Sequence, residues 1–297
     1  MSTFENSQLF MEPTTGQYGN HMVMTNVHKP NKTKYINIDT KFRDDYDYKQ
    51  PANYQIILPE RLNEIKSLKV TNVEIPISFY NISNNMGNNY FKITNGSTVN
   101  IIKLDDNQYN DETILINELN TLLTAHNVTI SATVHNKCTI TANSNITIDF
   151  AVDKDGNTDK FNFKNKLGWC MGFRNLSYDL VAGTPITSEC NINISGNRYL
   201  YLAIDEFNKG NQNSFVTPLS SSMINKNIIS RIATDFNTYP YKSIHPANSS
   251  TGLLSDTRSY TGKVDLQKIQ VSLLNEIGIP IELNGQDFSF CIEAICE

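Results

Sequence analysis

The sequence predicts a mainly β protein, an antiparallel β-sandwich that carries one inserted helix and hairpin module. Three observations predict it. Residues 288–296 alternate: Phe288, Phe290, Ile292, Ala294 and Cys296 share one face, Ser289, Cys291 and Glu293 the other, with Ile295 breaking the polarity. A period of two with one apolar face marks a half-buried strand. The pattern recurs along most of the chain, in short runs separated by Asn, Gly and Pro turns. One stretch, after Tyr109, carries a convincing helical period instead.

The elements follow in order. Residues 1–33 are polar and interrupted by Pro13, Gly16, Gly19 and Pro30, which predicts an extended or flexible arm. Residues 34–39 form a first strand, and Phe42-Arg43-Asp44-Asp45 opens a charged, aromatic loop. Tyr54–Leu58 is a second strand, expected to stop at Pro59, and Ile65–Ile75 a third. In that third strand Leu68 and Val70 share one face but Val73 and Ile75 the other, so a β-bulge or a change of packing partner is expected near Thr71. Tyr90–Ile93 and Val99–Leu104 make a hairpin across Asn95-Gly96.

The helix is expected to start at Asn110 as N-cap, with Tyr109 stapled onto Ile114 and an apolar stripe of Leu115, Leu119, Leu122 and Leu123. Three strands follow at 128–134, 138–141 and 146–152. Tyr199–Ile204 is apolar on both faces and predicts a central, doubly covered strand. Residues 208–223 read as a polar loop, 228–233 as a strand and 238–259 as a long loop. Val264–Leu274 is another strand, with a phase slip near Lys268. About a dozen strands and one helix make a jelly roll over 34–297, with an α/β insertion at about 105–165.

Composition narrows the function. The chain has 297 residues, enough to bury a core without disulfides or metals. Charged residues are 19% and the net charge is -5, which argues against a broad nucleic-acid footprint and predicts no direct nucleic-acid partner. No window is long and apolar enough for a membrane span, and no signal-peptide core opens the sequence, so a cytosol-like compartment is expected. The five cysteines form no C-x-x-C and read as reduced, mostly buried thiols. The 39 asparagines match A/T-rich coding, and at that abundance the eight N-x-S/T sequons carry no evidence of secretion.

Residues suited to chemistry are scattered. Asp153, Asp155, Asn157 and Asp159 have the spacing of a calcium loop, yet Thr158 stands where glycine belongs and Lys164 where glutamate does. They read first as a solvated turn, with calcium the alternative. Asp39-Thr40 lacks the following glycine of an aspartic protease, and no G-x-S-x-G, P-loop or paired histidine motif occurs. Catalytic residues and cofactors are therefore expected to be absent. Trp169 and Phe173 could stack on a sugar or a base, but beside Gly168 and Gly172 they read first as anchors of a folded turn. Arg43 and Asp44 read equally as an interface cluster or a solvated loop.

Several stretches, in order, carry a resemblance. They are Lys34-Tyr35-Ile36-Asn37-Ile38-Asp39 with Phe42-Arg43-Asp44; Asn53-Tyr54-Gln55-Ile56 through Leu68–Pro76; Tyr109 with Leu119-Asn120; Leu167-Gly168-Trp169 with Gly172-Phe173-Arg174; Tyr199–Asp205; Val264–Ile269; and Asp287–Phe290. Together these resemble the minor capsid and penton-type jelly-roll proteins of giant and other large nucleocytoplasmic DNA viruses. Residues 105–109 depart from the pattern, because relatives tend to place a glycine before the aromatic residue. The resemblance implies a structural role in the virion, with assembly in host cytoplasm and no catalytic residue to carry over. Its implied partners are copies of itself (a pentamer, if a penton), the major capsid protein and other minor capsid proteins. Arg43, Asp44, Trp169 and Phe173 become interface candidates. A carbohydrate-binding or host-attachment sandwich is the alternative.

Overall fold

A computed structural model describes residues 10–11, 24–25, 30–43, 47, 52–207 and 227–297. Strand β1 (Phe10–Met11) pairs antiparallel with β2 (Met24–Thr25). Then come β3 (Lys32–Asp39), β4 (Asn53–Pro76), β5 (Tyr90–Asn95), β6 (Thr98–Lys103) and helix α1 (Glu112–Leu123). Strands β7 (Val128–Ala132), β8 (Lys137–Ala142) and β9 (Ile146–Asp149) precede the one-turn helix α2 (Leu167–Cys170). The chain continues through β10 (Ser177–Leu180), β11 (Ile186–Asn191), β12 (Tyr199–Asp205) and β13 (Ile228–Ala233). It finishes with β14 (Ile244–Asn248), β15 (Leu253–Ser255), β16 (Arg258–Leu274) and β17 (Ser289–Cys296).

The pairings define a jelly roll. The 24-residue β4 serves two sheets. Its second half lies between β17 and β14, and β17 in turn pairs with β3. Its first half pairs with β16, which pairs with β12, which pairs with β13. Numbered along the chain, the sheets read 1-8-3-6 and 2-7-4-5, the two interlocked Greek keys of a jelly roll. Inner faces of both sheets pool into one core, with Phe290, Ile292 and Val73 from the first and Tyr54, Val271, Leu202 and Ile232 from the second. Strand β12 is paired on both sides and buried through Leu200–Ile204, as its doubly apolar sequence requires.

Bulges turn the long strands between the sheets. Cys291 of β17 faces Asn72 and Ile292 faces Val70, so Thr71 is the extra residue the phase change demanded. That bulge lets Leu68, Val70, Val73 and Ile75 all point into the core. The slip near Lys268 is also present: Leu266 faces Leu62 whereas Lys268 faces Ile57. Four residues of β4, including Pro59, oppose a single residue there. Pro59 therefore does not end the strand, as expected from sequence, because a bulged residue needs no ladder N–H. A second irregularity follows at Glu64, whose φ is 56° and whose N–H donates to Asp265 Oδ1 at 3.0 Å.

Residues 238–259 are not one long loop. They contain β14, which completes the first sheet against residues 72–76, and β15, which extends the second against β13. Both are short edge strands, and edges tolerate Pro246. Strand β16 likewise starts at Arg258, earlier than its apolar run, because Arg258 and Ser259 pair with Leu68 and Ser67. Residues 208–223, expected to form a polar loop, lie outside the described residues.

Between β4 and β12 stands a second body of structure. It holds a four-stranded sheet in the order β10-β9-β5-β6, a three-stranded sheet β11-β8-β7, and α1. The β5–β6 hairpin turns one residue later than the Asn95-Gly96 dipeptide indicates: Asn95 pairs with Thr98, and Gly96, at φ 59°, forms the loop with Ser97. Its apolar core runs in sequence from Ile82 to Ile192, wider than the segment 105–165. Helix α1 is capped by Asp111, whose carboxylate accepts from Thr113 N at 2.6 Å, and not by Asn110. Its buried residues are Leu115, Ile116, Leu119 and Leu123, while Leu122 and Ile114 are exposed. The rotation is set by Asn120, which donates to Ile130 O at 2.8 Å and accepts from Ile130 N at 2.7 Å. Tyr109 is not stapled to the exposed Ile114; its ring is buried and its hydroxyl donates to Glu118 at 2.7 Å.

Asparagines make the join to the sandwich. The amide of Asn81 donates to Tyr109 O and Ile194 O and accepts from Tyr109 N, at 2.6–2.9 Å. Asn88 returns to Asn81 O, and Asn89 holds Leu104 O and Asp106. All three are buried. Asn81 and Asn88 bond through both amide atoms, as burying them requires, while Asn89 Oδ1 is buried without a hydrogen-bond partner.

Two substitutions test this packing. Phe290→Ala removes a fully buried ring and is expected to cost about 3–5 kcal/mol in urea unfolding. Gly172 has φ 92°, and a Cβ there would stand 2.1 Å from Cys190 O. Gly172→Ala is expected to cost roughly 2–4 kcal/mol. A loss under about 1 kcal/mol in either variant contradicts the packing described.

Candidate interaction surface

Arg43 is buried, so it is not available as a surface contact. Its guanidinium donates to Thr40 O at 2.6 Å, Asp287 Oδ1 at 2.9 Å and Asp47 O at 2.6 Å. Thr40 completes the knot: its hydroxyl donates to Asp287 at 2.7 Å and accepts from Phe288 N at 3.0 Å. The arginine thus fastens the end of β3 to the approach of β17. Asp44 lies outside the described residues. Asp39 of the Asp39-Thr40 pair accepts from Lys41 N at 2.9 Å and caps a single helical turn.

Phe173 is fully buried, stacked 5.2 Å from Phe150 and edge-on to Tyr178. Trp169 is half-buried at the rim of the same cluster. Arg174 lies over its ring at 3.9 Å and Phe163 meets it edge-on at 5.7 Å. Arg174 also donates to Trp169 O and Phe173 O. One face of the indole is therefore covered by a guanidinium held in place by backbone.

The Asp153–Asp159 segment folds as a hairpin turn. Asp153 Oδ1 accepts from the amides of Asp155 and Asn157, both at 2.9 Å, and Gly156 takes φ 83°. The hydrogen bond from Asn157 N holds the Asp153 carboxyl below the usual aspartate range. Asp159 turns away to pair with the buried Lys166 at 2.7 Å. The four side chains do not converge on one point.

Two of the surface clefts among the described residues gather charged side chains. One, of about 770 Å³, is lined by Asp39, Glu74, Asp287, Tyr241 and Lys242. Its three carboxylates are all engaged: Glu74 accepts from Asn72 at 2.6 Å and Ser289 at 2.7 Å, and the other two hold the bonds given above. The other cleft, of about 890 Å³, lies between the sandwich and the inserted body, with Arg198, Asp235 and Asn110 among its walls. Asp235 accepts from the amides of Asn237 and Thr238, and Arg198 pairs with Glu276 at 3.2 Å. Among the described residues no group of three or more His, Cys, Asp or Glu could hold a metal ion. His245 is buried against Tyr239, 4.6 Å between rings. Burial pushes the Cys138 thiol up to about 12. No described helix is long and apolar enough to cross a membrane.

Sequence reading missed a second buried knot. Arg258 donates to Glu206 at 2.5 Å, to Ile204 O at 2.7 Å and to Asn227 O at 3.1 Å, and Tyr260 donates to Glu206 at 2.6 Å. It ties the end of β12, the start of β13 and the start of β16. Its members lie 52 and 54 residues apart, so no local pattern announces them.

No protein-family model matches the chain, and no curated protein matches it in sequence. Among solved structures it is similar to the selenomethionine-labelled mavirus penton protein. The TM-score is 0.41 and the identity 13%, over 89% of this chain and 99% of that one. The jelly-roll assignment rests on the strand pairings, to which a likeness at this level adds nothing.

Arg43→Met is expected to cost about 3–5 kcal/mol, because it removes the charged partner of Asp287, which keeps only the Thr40 hydroxyl, and the guanidinium donor to the carbonyls of Thr40 and Asp47. Stability unchanged within about 0.5 kcal/mol contradicts the role given to Arg43. A depressed carboxyl contributes stability that is present above its unfolded pKa, about 3.9, and lost as pH falls through its lower folded value. The Asp153 turn should therefore keep the amide signal of Asn157 in its folded position at pH 4, with Asp153 titrating below the ordinary aspartate range by NMR. Titration at or above that range contradicts the turn.

Proposed function

We propose that the chain is a structural component of a large DNA virus capsid, a penton or minor capsid protein that acts by self-assembly and by docking to the major capsid protein and other shell proteins. It works in the virion and is assembled in host cytoplasm. In this reading residues 1–33 are an arm, and the segment between β4 and β12 is a module inserted at one end of the jelly roll. The observation that supports it most is where the polar chemistry goes. Arg43, Asp287, Glu206, Arg258 and the asparagines of the join hold strand ends and loops, while the walls of both clefts are bonded internally. That is the profile of a rigid scaffold, whose output is shape and contact area. The family resemblance of residues 34–297 supports the same reading. A sugar-binding sandwich that used Trp169 would have to displace Arg174 from one face of the ring.

The test is electron microscopy of the purified full chain, together with quantitative mass spectrometry of particles from infected cells. Closed rings, and a fixed ratio to the major capsid protein, are expected. A chain that stays monomeric and is missing from the particles overturns the proposal.

A further inference from the structure

We infer that the open side of the sandwich between β3 and the first half of β4 is the seat for residues 1–29 of a second copy of this chain. The inference rests on the shell role proposed above. Strand β3 ends its sheet, pairing with β17 alone, and the first half of β4 ends the other, pairing with β16 alone. Two strand edges thus lie side by side, and among the described residues no strand covers either. Each edge presents a row of backbone N–H and C=O groups to an incoming strand.

The side chains there suit an apolar segment. Grooves of about 390 and 590 Å³ run along the opening, lined by Tyr35, Ile36 and Leu58 in one and by Ile56, Ile57 and Phe290 in the other. Tyr35 is 64% exposed and Ile57 57%, both large apolar side chains left in water at a strand edge. The ion pair Lys34–Glu60, 3.0 Å across, bridges the two edges at the rim. An uncovered strand edge with large apolar side chains in water is what strand-adding partners use, and here the bulge at Pro59 and the Lys34–Glu60 pair interrupt it only at the rim.

The occupant follows from where the chain goes. Residues 30–31 lead into β3 at Lys32, so the chain enters the sandwich beside this opening. Extended, 29 residues reach about 95 Å, whereas a jelly roll of this size is about 50 Å across. A segment leaving one copy therefore has ample length to reach the same opening on a neighbour. It supplies apolar residues (Phe4, Leu9, Phe10, Met11, Met22 and Met24), and its described residues Phe10–Met11 and Met24–Thr25 already take strand pairing.

The test uses the full chain with Cys190, the exposed native thiol, changed to serine. Copies carrying Met24→Cys are mixed with copies carrying Ile57→Cys and oxidised. A disulfide between the two kinds of copy is expected. In parallel, Ile57→Lys and Tyr35→Lys are expected to weaken self-association about tenfold to a hundredfold in sedimentation, with thermal unfolding unchanged because both side chains are exposed. Three results overturn the inference: no inter-copy disulfide, a disulfide that forms only within a chain carrying both cysteines, or association untouched by either lysine. If the unsubstituted chain still forms rings in those cases, the shell role stands without this edge. If it never associates, both fall.

Discussion

The sandwich depends on the placement of β17 between β3 and β4. The eight residues of β17 pair on both sides, Phe290 with Ile38 and with Val73, Ile292 with Ile36 and with Val70. Its inner side chains are the centre of the core, and each large one contributes about 1.5–3 kcal/mol by leaving water. No local contact substitutes for it: Ile38 and Phe290 are separated by most of the chain. Without β17, β3 loses its one partner among the described residues, and the second half of β4 keeps only β14 and the first residues of β16. The Arg43–Asp287–Thr40 knot sits at the entry to this strand and fixes its register against β3. The cost of bringing such distant segments together grows only slowly with chain length, but it makes folding slow.

Much of this was legible, and the reason is physical. A bulge must shift the side-chain phase, so the bulge at Thr71 and the slip at Lys268 were written in the alternation of the strands themselves. The β5–β6 turn and the doubly apolar β12 were readable for the same reason, since each is specified by residues within one segment. What failed was supplied by distant partners. Pro59 looked like a strand end because its bulge is defined by residues of β16. Strands β14 and β15 are too short to show a period and exist because β4 and β13 offer them ladders. The helix face is set by Asn120 reaching Ile130, which turns Leu122 of the predicted stripe outward and brings Ile116 into the core. Arg43 reads as a surface charge because its acceptors are two backbone carbonyls, which no side-chain pattern announces, and a carboxylate 244 residues away. Asp153–Asp159 forms a hairpin turn around the Asp153 carboxylate, and Trp169 lies at the rim of an aromatic cluster.

The buried ion pairs are better understood as specifying the fold than as stabilising it. Taking Arg258 and Glu206 out of water costs about as much as their attraction returns. What the pair contributes is geometry: with Tyr260 and two backbone carbonyls it admits one arrangement of three strand ends. The asparagines at the join act likewise, holding the inserted body by directional bonds where two apolar cores meet. A scaffold organised this way presents fixed surfaces to its surroundings, and in the proposed shell those surfaces are the working parts.

Native-state hydrogen exchange tests the central claim most directly. If β17 closes the sandwich, the amides of Ile292 and Ala294 exchange only through global unfolding, with the same free energy and denaturant dependence as those of β12 and the second half of β4. If β17 exchanges through a separate, lower-energy opening while β12 and β4 stay protected, the sandwich stands without it and the account fails.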